Sequence, residues 1–187
     1  MFEEFKLNKA KLKKPNSNES INTLQEIKSI ISMKGTGDKN TDKRFVLYYD
    51  DIEKTFKDIF KKNNISFPEK LYENLINSSA KKILKLKNYF NRDRPREVAK
   101  NYGLDLEVVN MQSAKTKSYP SGHSAQAVLI ANVFSEIYPN LRKQFTVAAD
   151  NISKSRLIAK VHYPSDSRFG EELGLAMYNY LKNKNNA

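Results

Sequence analysis

The chain has 187 residues, a length that suits one domain or one domain with a tail. It contains no cysteine, which excludes disulfides, zinc–thiolate sites and cysteine nucleophiles. Its 33 Lys and Arg against 21 Asp and Glu leave a net charge of +12, so the surface attracts anions such as phosphate esters, nucleic acids or acidic membranes. A solvated surface rich in Lys and Asn accounts for most of the same charge equally well.

Residues 1–19 are polar and basic, and we expect them to form a loosely held arm. The basic residues of this arm are Lys6, Lys9, Lys11, Lys13 and Lys14. Such an arm could bind nucleic acid or an acidic membrane, although a solvated tail explains the same composition. No apolar signal-peptide core is visible, and the longest apolar run, Ala127 to Phe134, is too short to span a bilayer. We therefore expect a soluble cytoplasmic protein, or a periplasmic one if this sequence is a processed form; the oligomeric state cannot be predicted.

Residues 20–187 are predicted to form one all-α domain, because apolar residues recur at helical spacing in successive segments. We expect loops over residues 34–44 and 96–119. Ser66 should cap the third helix, with Pro68 in its first turn, and Pro95 should end that helix near Arg94. The expected helices cover Ser20–Ile31, Asp51–Lys62, Ser66 to about Arg94, Ser121–Ile137, Leu141 to about Ala159, and the residues from Pro164 onward.

The polar residues that could carry chemistry fall at the ends of these helices. Ser121, Gly122, His123 and Asp166 lie at helix N-termini. Lys87, Arg94, Arg156 and His162 lie near helix C-termini. Antiparallel neighbours bring such ends together at one pole of a helical bundle, so we expect a single site there.

Three of these residues are cations suited to a phosphoryl group, whose equatorial oxygens carry the charge that must be neutralised during transfer. Arg94 and Arg156 offer planar forks that match phosphate, and Lys87 offers a compact charge. Ser121 and Gly122 begin a helix, where backbone N–H groups bind anions and a glycine permits close approach. We therefore predict a phosphate site built from these five residues, with no metal.

The two histidines of the chain, His123 and His162, are suited to opposite roles in this chemistry. Asp166 follows His162 by one helical turn and can hold one ring N–H, so that the other nitrogen attacks phosphorus. We predict that His162 is the nucleophile, and that His123 protonates the leaving group and then activates water. Each residue alone has an ordinary explanation, such as a helix cap for Asp166. Taken together, the ordinary explanations require a coincidence in three separate segments with fixed internal spacing, so the combined pattern indicates a functional site.

Three segments between Lys87 and Asp166 resemble the signature of a known family, the phosphatidic acid phosphatase type 2 superfamily. That group includes lipid phosphate phosphatases, class A non-specific acid phosphatases and vanadium haloperoxidases. The resemblance implies an all-α helical bundle with its active site at the helix ends, and the same residue roles as above. Ser118-Tyr119 most resembles the soluble acid phosphatases. The segments are Lys87-x6-Arg94-Pro95, Pro120-Ser121-Gly122-His123 and Ser155-Arg156-x5-His162-x3-Asp166.

We therefore expect a metal-independent histidine phosphatase that cleaves small phosphate monoesters without a cofactor and binds vanadate as a phosphate mimic. Two alternatives stay open: a vanadate-dependent haloperoxidase, and a non-catalytic protein that binds anions or nucleic acid. The ester itself is not predictable. A basic, aromatic rim formed by Arg96, Lys115, Lys117, Tyr119 and Tyr163 would suit nucleotides, while sugar phosphates, pyrophosphate and soluble lipid phosphates remain open.

Overall fold

The computed structural model describes residues 1–6, 12–33, 35 and 37–185. Over these residues the chain is all-α and has no strand, which confirms the predicted fold class. Short 3₁₀ turns cover Gln112–Ala114 and Pro139–Leu141. The helices are α1 (Ile21–Ser32), α2 (Lys39–Asp50), α3 (Ile52–Lys62), α4 (Glu69–Phe90), α5 (Pro95–Asn101), α6 (Gly122–Ile137), α7 (Arg142–Ile158) and α8 (Pro164–Asn185).

Helix α6 lies at the centre of the bundle and packs against α4, α7 and α8. Two glycines of α8 bring the backbones of α6 and α8 into close contact. A Cβ on Gly170 would lie 2.5 Å from the carbonyl oxygen of Ser121, and one on Gly174 would lie 2.3 Å from that of Ala125. The Ser121 N–H also donates to the carbonyl of Asp166 at 3.0 Å. The beginnings of α6 and α8 are therefore held side by side.

An aromatic cluster holds α3 against α6 and α7. Phe56 and Phe60 of α3 each meet Phe134 of α6 edge to face, with ring centroids 5.7 and 5.2 Å apart. Phe145 of α7 lies 5.5 Å from Phe60. Such aromatic pairs contribute about 0.5–1.5 kcal/mol each beyond the burial of their area. The cluster therefore fixes the position of α3, whose N-terminal end adjoins the site described below.

Two helices form where loops were expected, and in both the prediction was wrong. α2 begins at Lys39, so residues 39–44 of the expected loop are helical. Asp38 caps this helix by accepting the N–H groups of Asn40 and Thr41. α5 begins directly at Pro95, because proline suits the first helical position and Glu97 accepts the N–H of Arg94 at 3.0 Å. Proline therefore begins a new helix here rather than only ending the previous one.

The ends of α4 also differ from the prediction. The helix begins at Glu69 after Pro68, with no side-chain cap, so Ser66 does not have the expected role. It ends at Phe90 and not near Arg94, because Asn91 takes the left-handed conformation with φ of 51°. Arg94 consequently reaches the site from an extended segment and not from the face of the helix that carries Lys87.

Among the described N-terminal residues, Phe2 and Phe5 are packed, unlike the loosely held arm that was expected, while residues 12–19 are half-buried or exposed. Phe2 and Phe5 are buried against Tyr180 of α8, with centroid distances of 6.2 and 5.3 Å. Lys82 donates to the carbonyl of Phe5 at 3.0 Å. The arm residues Lys9 and Lys11 lie outside the described residues. Among the helices that the structure describes, none has the length and apolar character needed to cross a membrane.

Candidate active site

The candidate site lies at the pole where α4 and α7 end and α6 and α8 begin. His162 follows α7 and precedes α8, so both helices determine its position. The electrostatic environment of its ring shows which predicted residues come together. The side chains whose positive charge lowers the pKa of His162 are Arg94, Lys87, Arg156 and His123. Arg94 is in contact with the ring, and the other three lie near enough for their charges to add to the larger effect of burial on its pKa.

The ring of His162 is buried and its two nitrogens have different partners. Nδ1 lies 3.1 Å from Oδ2 of Asp166, and Nε2 lies 3.0 Å from Nη1 of Arg94. A guanidinium only donates hydrogen bonds, so Nε2 is the accepting nitrogen and Nδ1 carries the hydrogen. Burial, followed by the charges of the surrounding cations, holds the pKa of His162 well below its ordinary value. The ring is therefore neutral at pH 7, with its lone pair on Nε2.

Asp166 is fully buried and has two functions in the fold. Its Oδ2 accepts the N–H of Tyr163 at 3.0 Å, as a cap at the start of α8, and also the hydroxyl of Ser118. The same oxygen faces His162. Burial raises the pKa of Asp166, and the charge of Arg92 is the largest influence that opposes this rise. The ordinary explanation as a cap is therefore met, and the contact expected with His162 is present, while the role of Asp166 in catalysis stays a prediction.

Arg92 completes this arrangement and was missed by the sequence analysis. Its guanidinium is 1% exposed and lies 3.7 Å from the ring centre of Tyr163. One end donates to Asp166 Oδ1 at 2.8 Å, and the other donates to Glu26 Oε2 of α1 at 2.8 Å. Burial lowers the pKa of Arg92, but the two carboxylates raise it above its ordinary value. Arg92 therefore ties α1 to the His162–Asp166 pair.

Lys87 and Arg94 are buried cations held by backbone carbonyls. Lys87 Nζ donates to the carbonyl of Lys117. Arg94 donates through Nε to the carbonyl of Thr116 at 2.8 Å and through Nη1 to that of Val161 at 2.6 Å. Burial and the nearby arginines lower the pKa of Lys87 to about 7, against the charge of Asp166. Two cations whose partners are uncharged carbonyls create a positive potential that favours an anion.

Arg156 is fully buried near the end of α7 and has one carboxylate partner. Its Nη1 donates to Oδ1 of Asp50 at 2.6 Å, and its Nη2 donates to Oγ of Ser113 at 3.0 Å. Its Nε is buried and has no hydrogen-bond partner among the described residues. A buried donor without an acceptor is costly, and an anion bound beside Arg156 would supply the missing acceptor.

His123 contacts Asp50, a second residue that the sequence analysis missed. Its Nε2 lies 3.0 Å from the carbonyl oxygen of Asp50 and 3.2 Å from its Oδ1. Both partners are acceptors, so Nε2 carries a hydrogen. Burial and the charge of Arg156 lower the pKa of His123, while Asp50 opposes this shift. Burial would raise the pKa of Asp50, but hydrogen bonds from His123 and Ser113 and the charge of Arg156 hold it well below its usual range.

Ser121 and Gly122 lie where they were expected, at the start of α6. Ser121 Oγ accepts the N–H of Ser124 at 3.3 Å and its hydroxyl at 2.9 Å, which is the capping role considered as the ordinary explanation. A Cβ on Gly122 would meet Ile83 at 3.6 Å and Lys87 Cε at 4.0 Å, both ordinary contacts. The protein itself thus leaves room at Gly122, and contact of either residue with phosphate stays a prediction.

The expected basic and aromatic rim is not formed as predicted. Tyr119 and Tyr163 are 1% and 0% exposed, so neither can present its ring to a substrate at the surface. Lys117 forms an ion pair with Asp93, which offsets its charge. Within the described parts of the chain, no cluster of three His, Asp or Glu residues could hold a metal ion.

Residues 73–185, more than half of the chain, match the family model described as the PAP2 superfamily. A non-specific acid phosphatase of Salmonella typhimurium is 31% identical over 96 residues, a match that covers 51% of this chain and 38% of the relative. The matched region therefore spans well under half of that relative's length.

The fold is similar to that of a transmembrane PAP2-type phosphatidylglycerolphosphate phosphatase from Bacillus subtilis, as seen in its crystal structure. The TM-score is 0.59, and the superposition covers 88% of this chain and 85% of the other. Sequence identity is 19%, so this similarity concerns the fold alone.

Proposed function

The chain belongs to the PAP2 superfamily, and from that premise we propose that it hydrolyses phosphate monoesters through a covalent phosphohistidine at His162. One observation carries the proposal. A neutral imidazole, with its lone pair on Nε2, lies among buried cations that are held largely by backbone carbonyls. The 31% identity to an acid phosphatase supports the same activity.

Substrate binding is assigned to the cations and the start of α6. Arg94, Arg156 and Lys87 neutralise the oxygens of the phosphoryl group, and the unpartnered Nε of Arg156 gains an acceptor. The α6 N-terminus adds backbone N–H groups beside Gly122. An anion raises the pKa of Lys87 from about 7, so the lysine is fully charged in the complex.

In the first step Nε2 of His162 forms a bond to phosphorus while the bond from phosphorus to the ester oxygen breaks. His123, in its protonated form, keeps its Nε2 hydrogen on Asp50 and gives the Nδ1 proton to that oxygen, and the alcohol leaves. Asp166 accepts the Nδ1–H of His162 and stabilises the positive charge that develops on the ring.

In the second step water attacks phosphorus and the bond to Nε2 breaks. His123, now neutral with its lone pair on Nδ1, takes a proton from the water and returns to its initial state. Inorganic phosphate leaves, and no metal or cofactor takes part in either step. Vanadate should occupy the same site, because its five-coordinate form resembles the transition state.

A phosphate-release assay with 4-nitrophenyl phosphate tests this proposal. We expect hydrolysis that persists in excess chelator, competitive inhibition by vanadate, and loss of at least about 10³-fold in kcat for His162→Ala. Lys87→Ala should weaken phosphate and vanadate inhibition, whereas Lys85→Ala, an exposed neighbour on α4, should not. Activity that requires a metal, or that survives in His162→Ala, would falsify the proposal. Halide oxidation with vanadate and peroxide, without phosphate release, would favour the haloperoxidase alternative.

A further inference from the structure

A groove of about 410 Å³ lies beside the candidate site, and His123 forms part of its wall. The end of α2, the start of α3 and one face of α4 and of α6 enclose it. Its apolar surface includes Ile52, Tyr72 and Ile76. The groove therefore joins an apolar surface to the one histidine assigned to the leaving group.

We propose that this groove holds the alcohol portion of the ester, and that it selects alcohols that are uncharged or cationic and partly apolar. The inference rests on the proposed function. His123 must reach the ester oxygen in order to protonate it, so the alcohol attached to that oxygen lies against His123. The groove is the space that adjoins His123 on this side of the site.

The charged residues of the groove are all acidic, although the chain as a whole carries a net charge of +12. They are Asp50, Asp51 and Glu53. Asp50 is fixed by Arg156 and Ser113, and its lowered pKa keeps it ionised under acidic conditions. Asp51 accepts the N–H of Lys54 at 2.9 Å as the cap of α3, so its carboxylate is also held in place.

The ion pair of Glu53 does not remove the negative charge of this region. Glu53 pairs with Lys57 at 2.7 Å, but Lys57 is shared with Glu69 at 3.0 Å. One cation therefore serves two carboxylates. The same negative charge acts on buried Tyr72. Burial is the main cause of its raised pKa, and the charges of Glu53 and Asp51 raise it further.

This distribution separates the two halves of a substrate by charge. The buried cations face the phosphoryl group, while the carboxylates face the alcohol, with His123 between them. An alcohol with its own negative charge, such as one that carries a carboxylate or a second phosphate, is repelled from the groove. A neutral or cationic alcohol meets no such repulsion, and its apolar part covers the exposed side chain of Leu47 and the small exposed parts of Ile52 and Tyr72.

Three aryl esters that differ in charge and share a similar phenol test the proposal: 3-(aminomethyl)phenyl, phenyl and 3-carboxyphenyl phosphate. We expect kcat/KM to fall in that order, with about a tenfold ratio between the cationic and anionic esters at low salt. Asp51→Asn, which keeps a capping side chain, and Glu53→Gln should each reduce the ratio about threefold. Added salt should reduce it as well, because the rim of the groove is exposed.

Glu136→Gln is the matched control, since it removes one negative charge at the other end of α6, about 20 Å from His123 along the helix axis. The ratio should not change in this variant. Equal kcat/KM for the three esters, faster cleavage of the anionic ester, or a ratio unaffected by Asp51→Asn and Glu53→Gln overturns the groove assignment while phosphatase activity stands. Absence of phosphate release from all three esters overturns the proposed function itself.

Discussion

At the scale of single residues, the two histidines differ only through their surroundings. His162 is buried among cations and shares Nδ1–H with Asp166, so its neutral form is favoured. His123 is half-buried, with 17% of its side chain exposed; desolvation and the charge of Arg156 lower its pKa, but Asp50 favours its protonated form and partly offsets that effect. The environments therefore separate a nucleophile from an acid, as the proposed mechanism requires.

This difference predicts an acidic optimum. kcat/KM should rise with pH as His162 loses its proton, well below pH 6.5, and should fall as His123 loses its own proton, also below its ordinary pKa of 6.5. A bound phosphoryl dianion raises the pKa of His123, so the falling limb for kcat should lie at higher pH than that for kcat/KM. Profiles of both constants, measured with one ester, check this order. A rate that increases steadily to pH 8 would rule out His123 as the acid.

Arg92 is predicted to act through Asp166 as a positioning residue. Arg92→Gln removes the charge that opposes the raised pKa of Asp166. The hydrogen bond between Asp166 and His162 Nδ1 is then weaker, so kcat should fall about 10- to 100-fold. Inhibition by inorganic phosphate should change much less, because the cations that bind it remain. Arg92→Lys should restore part of kcat. The exposed Arg96→Gln is the control, and a loss of phosphate affinity equal to the loss of kcat would show a general disruption instead.

The sequence identified the residues of the three segments but not their partners. Asp166 follows His162 closely along the chain, so local spacing sufficed for that pair. Arg92 meets Glu26 and Asp166 at separations of 66 and 74 residues, and Asp50 meets Arg156 at 106. Neither Arg92 nor Asp50 has a local pattern that distinguishes it from other charged residues, so only the tertiary structure reveals its role.

At the level of elements, the helices with a clear apolar stripe were predictable, whereas α2, which has a single buried residue, and the seven-residue α5 were not. α2 has Val46 as its one buried residue, so apolar periodicity was too weak to indicate a helix. It forms because Asp38 caps it and because it packs on α7. α5 was hidden by Pro95, which was interpreted as the end of a helix although it also suits the beginning of one.

Two glycines near the beginnings of α6 and α8 should respond differently to substitution by alanine: Gly170 through stability, and Gly122 through anion binding. Gly170→Ala places a Cβ against the Ser121 carbonyl and should lower the free energy of unfolding by about 1–3 kcal/mol. Gly122→Ala meets only ordinary contacts, so it should fold normally but weaken phosphate inhibition, because the methyl group blocks close approach of the anion. Thermal unfolding and phosphate inhibition separate the two effects. Normal phosphate inhibition in Gly122→Ala would remove α6 from the anion site.

At the scale of the whole molecule, the ordered N-terminus should contribute to stability and not to catalysis. Phe2 is 1% exposed and packs near the far end of α8, about 24 Å along the helix from its start beside the site. Phe2→Ala should therefore cost roughly 3 kcal/mol of unfolding free energy and leave kcat/KM unchanged. Ile21→Ala, at a position 71% exposed, is the control. Unfolding in denaturant measures the free energy of unfolding, and a phosphate-release assay measures kcat/KM. Unchanged stability of Phe2→Ala would place Phe2 outside the core.

In the proposed mechanism the cations and both histidines act together to carry a phosphoryl group on His162. Trapping the phosphoenzyme tests this most directly. The enzyme is mixed rapidly with an activated aryl phosphate, quenched in alkali to preserve phosphohistidine, and digested for mass spectrometry. We predict one phosphoryl group on Nε2 of His162, which persists longer in His123→Ala because water is no longer activated. Turnover with no phosphoryl group on His162, or with the group on another residue, would contradict the account.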